Sequence, residues 1–376
     1  MIIPQATEIY LFAIFCYAFI IQLWYYLFYF RVLGFYKKKD EVTHFPPASI
    51  IICAKNELQN LRENLPAVLT QNYSDYEVVV VNDCSYDGTD EMLKEFAKQY
   101  SYLKIVTIKE DEHYVHGKKF AQMVGIKGAK NECLLFTDAD CKPASSDWLK
   151  TMVSNFDDKT DIVLGYGNYE KTKGWLNKLI RFDAFYIAVQ YLSFALVNRP
   201  YMGIGRNLAY RKSLFFKHKG FASHYHIDSG DDDLFVNRAA TKTNCKVEIN
   251  PLAQTITKAK KSYSDWIKQK RRHITTAGYY TASTKILLGL LTISQYLFFF
   301  LLILLLLIKT KFVIPVLSAF VLRYFVQILI FSKTMNKTSE KDLLFLAPIL
   351  ELKLLFFYPV FLLSNLFARK KNKWKN

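Results

Sequence analysis

Hydrophobic positions along the chain follow two patterns. In residues 49–54 (SIIICA), 77–82 (EVVVVN), 103–108 (LKIVTI) and 132–137 (ECLLFT) they form short continuous runs. That is the pattern of strands buried on both faces of a parallel sheet. Between them, residues 57–70, 89–100 and 117–130 read as helices, with turn residues such as Asp87-Gly88 at their starts. Strand alternating with helix predicts a doubly wound, mostly parallel α/β domain, whose ligands lie beyond the C-terminal ends of the strands. Polar residues gather at those ends: Asn56 and Glu57, Asp83, then Asp138 and Asp140.

The second pattern is long and apolar. Residues 9–33, 286–308 and 312–332 are each long enough to cross a bilayer, and the first reads as a retained anchor. Residues 343–367 are also apolar but carry Glu351 and Lys353 near the middle. If Lys37–Lys39 is cytoplasmic, a full crossing at 343–367 puts the basic tail outside, so an interfacial or re-entrant segment is expected there. Residues 175–197 carry Lys178, Arg181 and Asp183 among apolar residues, which predicts an amphipathic helix lying at the membrane surface. The expected organisation is an anchor over 1–36, a globular domain over 37–275 and a membrane region over 276–376.

Charge sharpens this picture. The formal net charge is +17, and lysine and arginine cluster beside the apolar stretches, at 37–39, 258–261, 268–273 and 369–375. This favours the inner face of a membrane, with lipids as partners, over nucleic acid, for which no recognition module is present. The expected location is the inner or plasma membrane, with the globular domain in the cytoplasm. None of the six cysteines forms a CxxC pair, which suits reduced thiols.

Candidate chemistry lies in two acidic clusters. Asp138 and Asp140 repel one another unless a cation bridges them or one is protonated. A hard divalent ion, Mg²⁺ or Mn²⁺, accepts such carboxylates and keeps places for phosphate oxygens. A bare DxD is otherwise a common solvated turn. The adjacent carboxylates Asp231, Asp232 and Asp233 are mutually destabilising and run into Leu234-Phe235, which argues against a plain surface. His224, His226 and Asp228 form an HxHxD arrangement without further zinc-ligand spacing, so a polar loop near the site is expected.

Six motifs in order resemble the family 2 glycosyltransferases with the GT-A fold: SIIICAKNE (49–57), VVVVNDCSYDGT (78–89), GKKFAQMVGI (117–126), FTDAD (136–140), GDDDLFVNR (230–238) and QKRRH (269–273). The flanking spans resemble its membrane-bound branch, which includes cellulose, hyaluronan and poly-N-acetylglucosamine synthases. The resemblance implies a GT-A domain flanked by transmembrane helices and an inverting transfer from a nucleotide sugar, usually a UDP-sugar, to a glycan or lipid-linked acceptor. By it, Ala54, Glu57 and Asp83 meet base and ribose, and Lys118 (or its neighbour Lys119) lies near the nucleotide. Asp138 and Asp140 would hold the metal on the diphosphate, with Asp140 favoured for direct ligation. Asp232 would be the catalytic base, or Asp231 if the motif is aligned on Leu234. Arg206 and Asn207, in GIGRNLAYR (203–211), are expected near the acceptor. Gln269 and Arg272 match the QxxRW pattern near diphosphate and acceptor, while His273 replaces its tryptophan and puts processive polymerisation in question. The competing readings are single-sugar transfer to a polyprenyl phosphate or other lipid, a metal-dependent phosphodiesterase or nucleotidyltransferase, and a non-catalytic nucleotide-sugar-binding scaffold.

Overall fold

The computed structural model describes residues 4–38, 45–110, 117–227 and 229–366. The predicted strands form as β1 (Ala48–Ala54), β2 (Tyr76–Asp83), β3 (Leu103–Ile108) and β4 (Cys133–Asp138). Later come β5 (Cys141–Pro143), β6 (Ile162–Leu164), β7 (Gly167–Tyr169), β8 (Leu208–Arg211), β9 (Cys245–Val247) and β10 (Thr255–Thr257). The main sheet runs β3-β2-β1-β4-β8-β6-β9, and β5-β10-β7 form a small second sheet. β1 to β4 are parallel and β8 runs antiparallel to both its neighbours, so the main sheet is mixed but mostly parallel.

The register explains why the polar residues converge. β1 pairs Cys53 with Asp138 on one side and Ala54 with Asn82 on the other, so the ends of β1, β2 and β4 lie side by side. Helices Leu58–Leu69, Thr89–Gln99 and Lys118–Gly128 connect the parallel strands. At Gly125 a Cβ would approach Ile51 and Val81 at 2.9 Å, so the helix packs directly onto the strands because this position has no side chain. Two apolar layers, one around Val78, Val80 and Trp148 and one around Ile51, Phe136 and Tyr210, cover the two faces of the sheet.

Among the described residues, five helices are long and apolar enough to cross a membrane: Gln5–Phe35, Trp175–Leu196, Ala282–Leu307, Val313–Lys337 and Lys341–Ser364. One of them departs from the expectations above. The helix Trp175–Leu196 is not an amphipathic helix with a wet face. It is buried over most of its circumference, with Phe182 and Phe185 against Phe331 and Phe194 against Tyr25 and Tyr29. Its two buried charges are tolerated there because each is paired: Arg181 with Glu340 and Asp342, and Asp183 with Lys270 at 2.7 Å and the Tyr358 hydroxyl at 3.0 Å, while Lys178 stays part-exposed over the Trp175 ring.

The last apolar segment is a short 3-10 turn, Lys341–Leu346, followed by helix Ala347–Leu366. Its Glu351 is buried rather than wet. Arg323 donates to it and to Gln22 (3.0 Å), while Gln327 and Gln295 also donate to its carboxylate. One polar knot therefore joins four apolar helices, so that none of its charged groups faces hydrocarbon unpaired. The helix touches the globular domain near both ends, through Asp342 to Arg181 and Lys171 and through Phe357 and Phe361 to Trp266. Lys38, from the first basic cluster, is ion-paired with Glu248 of the domain at 2.9 Å.

Candidate active site

Asp138 ends β4, and the next residues turn sharply into β5. The turn is fixed from behind: Ala139 is buried, and its carbonyl accepts from the Asn64 side-chain amide at 3.1 Å. With Ala139 held inward, Asp138 and Asp140 are left on the open side, Asp138 half-buried and Asp140 exposed. One carboxylate oxygen from each and the Sγ of Cys141 lie within 4.8 Å of one another. The Cys141 thiol accompanies Asp140 at 3.4 Å and burial pushes its pKa well up, so it stays protonated and is a poor ligand for a hard ion. The two carboxylates fit a hard divalent cation; the sulfur does not. Glu57 lies close enough for Asp140 and Asp138 to raise its pKa further, after burial as the main cause.

The second acidic cluster meets the first through one lysine. Lys118 Nζ lies 2.9 Å from Asp138 and 3.2 Å from Asp231. Burial disfavours its charge, but the fields of Asp138, Asp231 and Asp232 outweigh that and hold the ammonium firmly protonated. Lys119, the neighbouring alternative, points elsewhere. It is buried and donates to the carbonyls of His224 at 2.6 Å and Ile227 at 2.7 Å.

The three adjacent aspartates have three different environments. Gly230 adopts φ of +96°, a left-handed conformation suited to glycine, and turns the chain into the cluster. Asp231 is buried against Lys118; burial would raise its pKa, but the ammonium outweighs this and holds it low. Asp233 is buried and accepts from the Leu234 amide (2.7 Å), the Tyr280 hydroxyl (2.7 Å) and the Thr276 hydroxyl. Asp232 caps the helix Asp233–Ala239 and keeps some exposure. Its Oδ1 accepts from the Asp233 amide (2.7 Å) and its Oδ2 from the Gly205 amide (2.6 Å). Burial, with Asp231 and Asp233 adding like charge, pushes its pKa up to about 7. A half-exposed carboxylate with spare lone pairs and a pKa near neutrality is a chemically competent base. Asp231 lacks that freedom.

Gln269, Arg272 and His273 lie on the helix Tyr263–Ile274. Arg272 is exposed and no ion pair holds its guanidinium among the described residues. His273 keeps solvent contact yet lies among enough protein that desolvation first, then Arg272, Lys270, Arg206 and Lys118, hold its pKa well below the ordinary histidine range. Asp83 is buried at the end of β2 and Ala54 at the end of β1.

Of the two residues expected near the acceptor, Asn207 is turned into the core while Arg206 stays part-exposed. Asn207 is fully buried, accepting from Trp148 Nε1 (3.0 Å) and donating to the carbonyls of Tyr166 and Ala253 (2.8 Å each), so its amide is occupied in the core. Arg206 donates to the Gly167 carbonyl (2.7 Å) and stacks over the Tyr169 ring (4.4 Å). Of the HxHxD arrangement, His224 is buried with its pKa pulled down to about 4 by burial, His226 is exposed beside Tyr279, and Asp228 lies outside the described residues. Sequence reasoning also missed Asn64, Thr276 and Tyr280, whose types carry no signal until the fold brings them to the carboxylates.

Residues 49–221 match the family model described as Glycosyl transferase family 2. This stretch is a family 2 glycosyltransferase domain. The chain is 39% identical over 129 residues to the glycosyltransferase AglE of Haloferax volcanii, covering 34% of this chain and 40% of that protein. It is 31% identical over 102 residues to a poly-beta-1,6-N-acetyl-D-glucosamine synthase of Staphylococcus epidermidis, covering 27% and 24%. The matches thus span well under half the length of these curated relatives. Among solved structures, the mannosyltransferase PcManGT of Pyrobaculum calidifontis, in complex with GDP-Man and Mn²⁺, is similar with a TM-score of 0.60. It covers 96% of this chain and 99% of its own at 16% identity, a likeness of fold that extends through the apolar helices around the glycosyltransferase domain.

Proposed function

We propose that the protein transfers a sugar, with inversion, from a nucleoside-diphosphate sugar to a hydroxyl of a glycan or lipid-linked acceptor at the cytoplasmic face of the inner or plasma membrane. The observation that carries this reading is the Lys118 ammonium held between Asp138 and Asp231, with Asp232 next along the chain. It brings a diphosphate-side carboxylate pair and a base of suitable pKa to one point at the strand ends.

In this reading Asp83, Ala54 and Glu57 line the nucleoside pocket, and Lys118 and Arg272 offer positive charge to the diphosphate. Asp138 and Asp140 would hold Mg²⁺ or Mn²⁺, which supplies charge neutralisation to the departing phosphate oxygens. The Mn²⁺ and GDP-Man named with PcManGT support that assignment. Asp232, oriented by the Gly205 amide, takes the acceptor hydroxyl proton. The freed oxygen forms a bond to the anomeric carbon from the face opposite the leaving group. The bond from that carbon to the diphosphate oxygen breaks, and its electron pair leaves with the nucleoside diphosphate.

Hydrolysis by a two-metal phosphodiesterase is less well supported. The second acidic cluster is already engaged by Lys118, Gly205, Thr276 and Tyr280, leaving no second set of free carboxylates there. The deciding experiment incubates the protein in nanodiscs with a panel of nucleotide sugars and Mn²⁺ and identifies products by mass spectrometry. Release of nucleoside diphosphate with a glycosylated acceptor is expected. A ladder of products marks a polymerase and one added sugar a single-transfer enzyme. Donor binding without turnover across the panel overturns the reading in favour of a scaffold.

A further inference from the structure

We propose that Asp233 and Asn237 are positioning residues that set the distance between the base and the segment bearing Arg272 and His273. The inference rests on the assignment of Asp232 as base. Asp233 and Asn237 are one turn apart on the helix that Asp232 caps, so their side chains share a face. Both grip the same six-residue stretch, 276–281. Asp233 Oδ2 accepts from the Tyr280 hydroxyl at 2.7 Å and from the Thr276 hydroxyl, which also lies 2.9 Å from the His273 carbonyl. Asn237 Oδ1 accepts from the Thr281 amide at 3.0 Å, and its Nδ2 donates to the Tyr201 carbonyl at 2.8 Å.

That stretch is the only covalent link from helix Tyr263–Ile274, with Gln269, Arg272 and His273, to the apolar helix Ala282–Leu307. Tyr201 opens the loop whose Gly205 amide orients Asp232, and its ring meets Tyr280 edge-on at 5.9 Å. Two fixed points on the base's own helix thus pin the exit of helix Tyr263–Ile274, while Asn237 also pins the loop that aims the base. Thr276 and Tyr280 are buried, so their bonds to Asp233 form away from competing water. The buried carboxylate of Asp233, beside the base, is thereby explained by what it holds.

The test uses the full-length protein in nanodiscs with the donor and acceptor found active. Tyr280→Phe, which removes one hydroxyl, is expected to lower kcat for transfer about 10-fold, and Asp233→Ala up to about 100-fold, the range for misplacing reacting groups by an ångström or less. Because Arg272 lies on the displaced segment, Mn²⁺-dependent binding of the nucleoside diphosphate should weaken in both, but by much less than kcat falls. The double variant should be no worse than Asp233→Ala, because both remove one interaction. Additive losses, a fall in donor affinity parallel to kcat, or a lowered unfolding temperature with unchanged kcat would overturn the proposal. Asp232→Asn run alongside separates the two assignments. Neutral Tyr280→Phe and Asp233→Ala variants beside an inactive Asp232→Asn overturn the positioning role alone, whereas an active Asp232→Asn overturns the base.

Discussion

Asp138 and Asp231, in separate motifs far apart along the chain, share the single ammonium of Lys118. Like a cation bound between them, the ammonium makes two carboxylates compatible at short range. It also lowers the pKa of Asp232 by its field. Replacing it by an uncharged chain of similar length should therefore act twice. Lys118→Met is expected to lower kcat/KM about 10²-fold, as for loss of one charge-stabilising group, and to move the acid limb of the pH profile to higher pH. An unshifted limb would show that Lys118 does not act on Asp232.

Asp232 is pushed up to about 7, chiefly by burial. A base works in its ionised form, so kcat/KM should be flat above that pH and fall tenfold per unit below it. Asp232→Asn should abolish the limb and lower kcat about 10²- to 10⁴-fold while nucleotide binding persists. Rate against pH from about 5 to 9 with a saturating metal ion, alongside calorimetric binding of the nucleoside diphosphate, checks both parts.

Asp140 is exposed and, among the described residues, accepts a weak thiol contact from Cys141, while Asp138 is held by Lys118. Asp140→Asn should therefore weaken Mn²⁺ affinity more than about 10-fold, the lower end for groups that merely support a ligand. Electron paramagnetic resonance titration of free Mn²⁺ in the presence of nucleoside diphosphate measures this without turnover. Equal affinity in the variant would remove Asp140 from the ligand set.

The buried pair Arg323–Glu351 holds the last apolar helix to three others. Removing one partner leaves the other charged and uncompensated, so Arg323→Ala should cost about 3–5 kcal/mol of stability. The double replacement Arg323→Met with Glu351→Leu should recover much of it, because apolar pairs of similar volume are tolerated at such sites. Unfolding temperatures in one detergent decide between the two outcomes.

The sequence alone determined the four parallel strands, their order of appearance and the placement of Asp83, Asp138 and Asp140 at strand ends. Runs of β-branched and aliphatic residues between turn signals allow little else. It also marked the apolar helices and the acidic triplet. Tertiary structure decided which aspartate of the triplet is available, because that depends on Lys118, Gly205, Thr276 and Tyr280, none of them neighbours of Asp231–Asp233 in sequence. It likewise turned Asn207 into the core and gave Arg181, Asp183 and Glu351 partners on other helices. A charged residue in an apolar run reads as an exposed edge only while its counter-charge is unseen; pairing lets the same residue be buried.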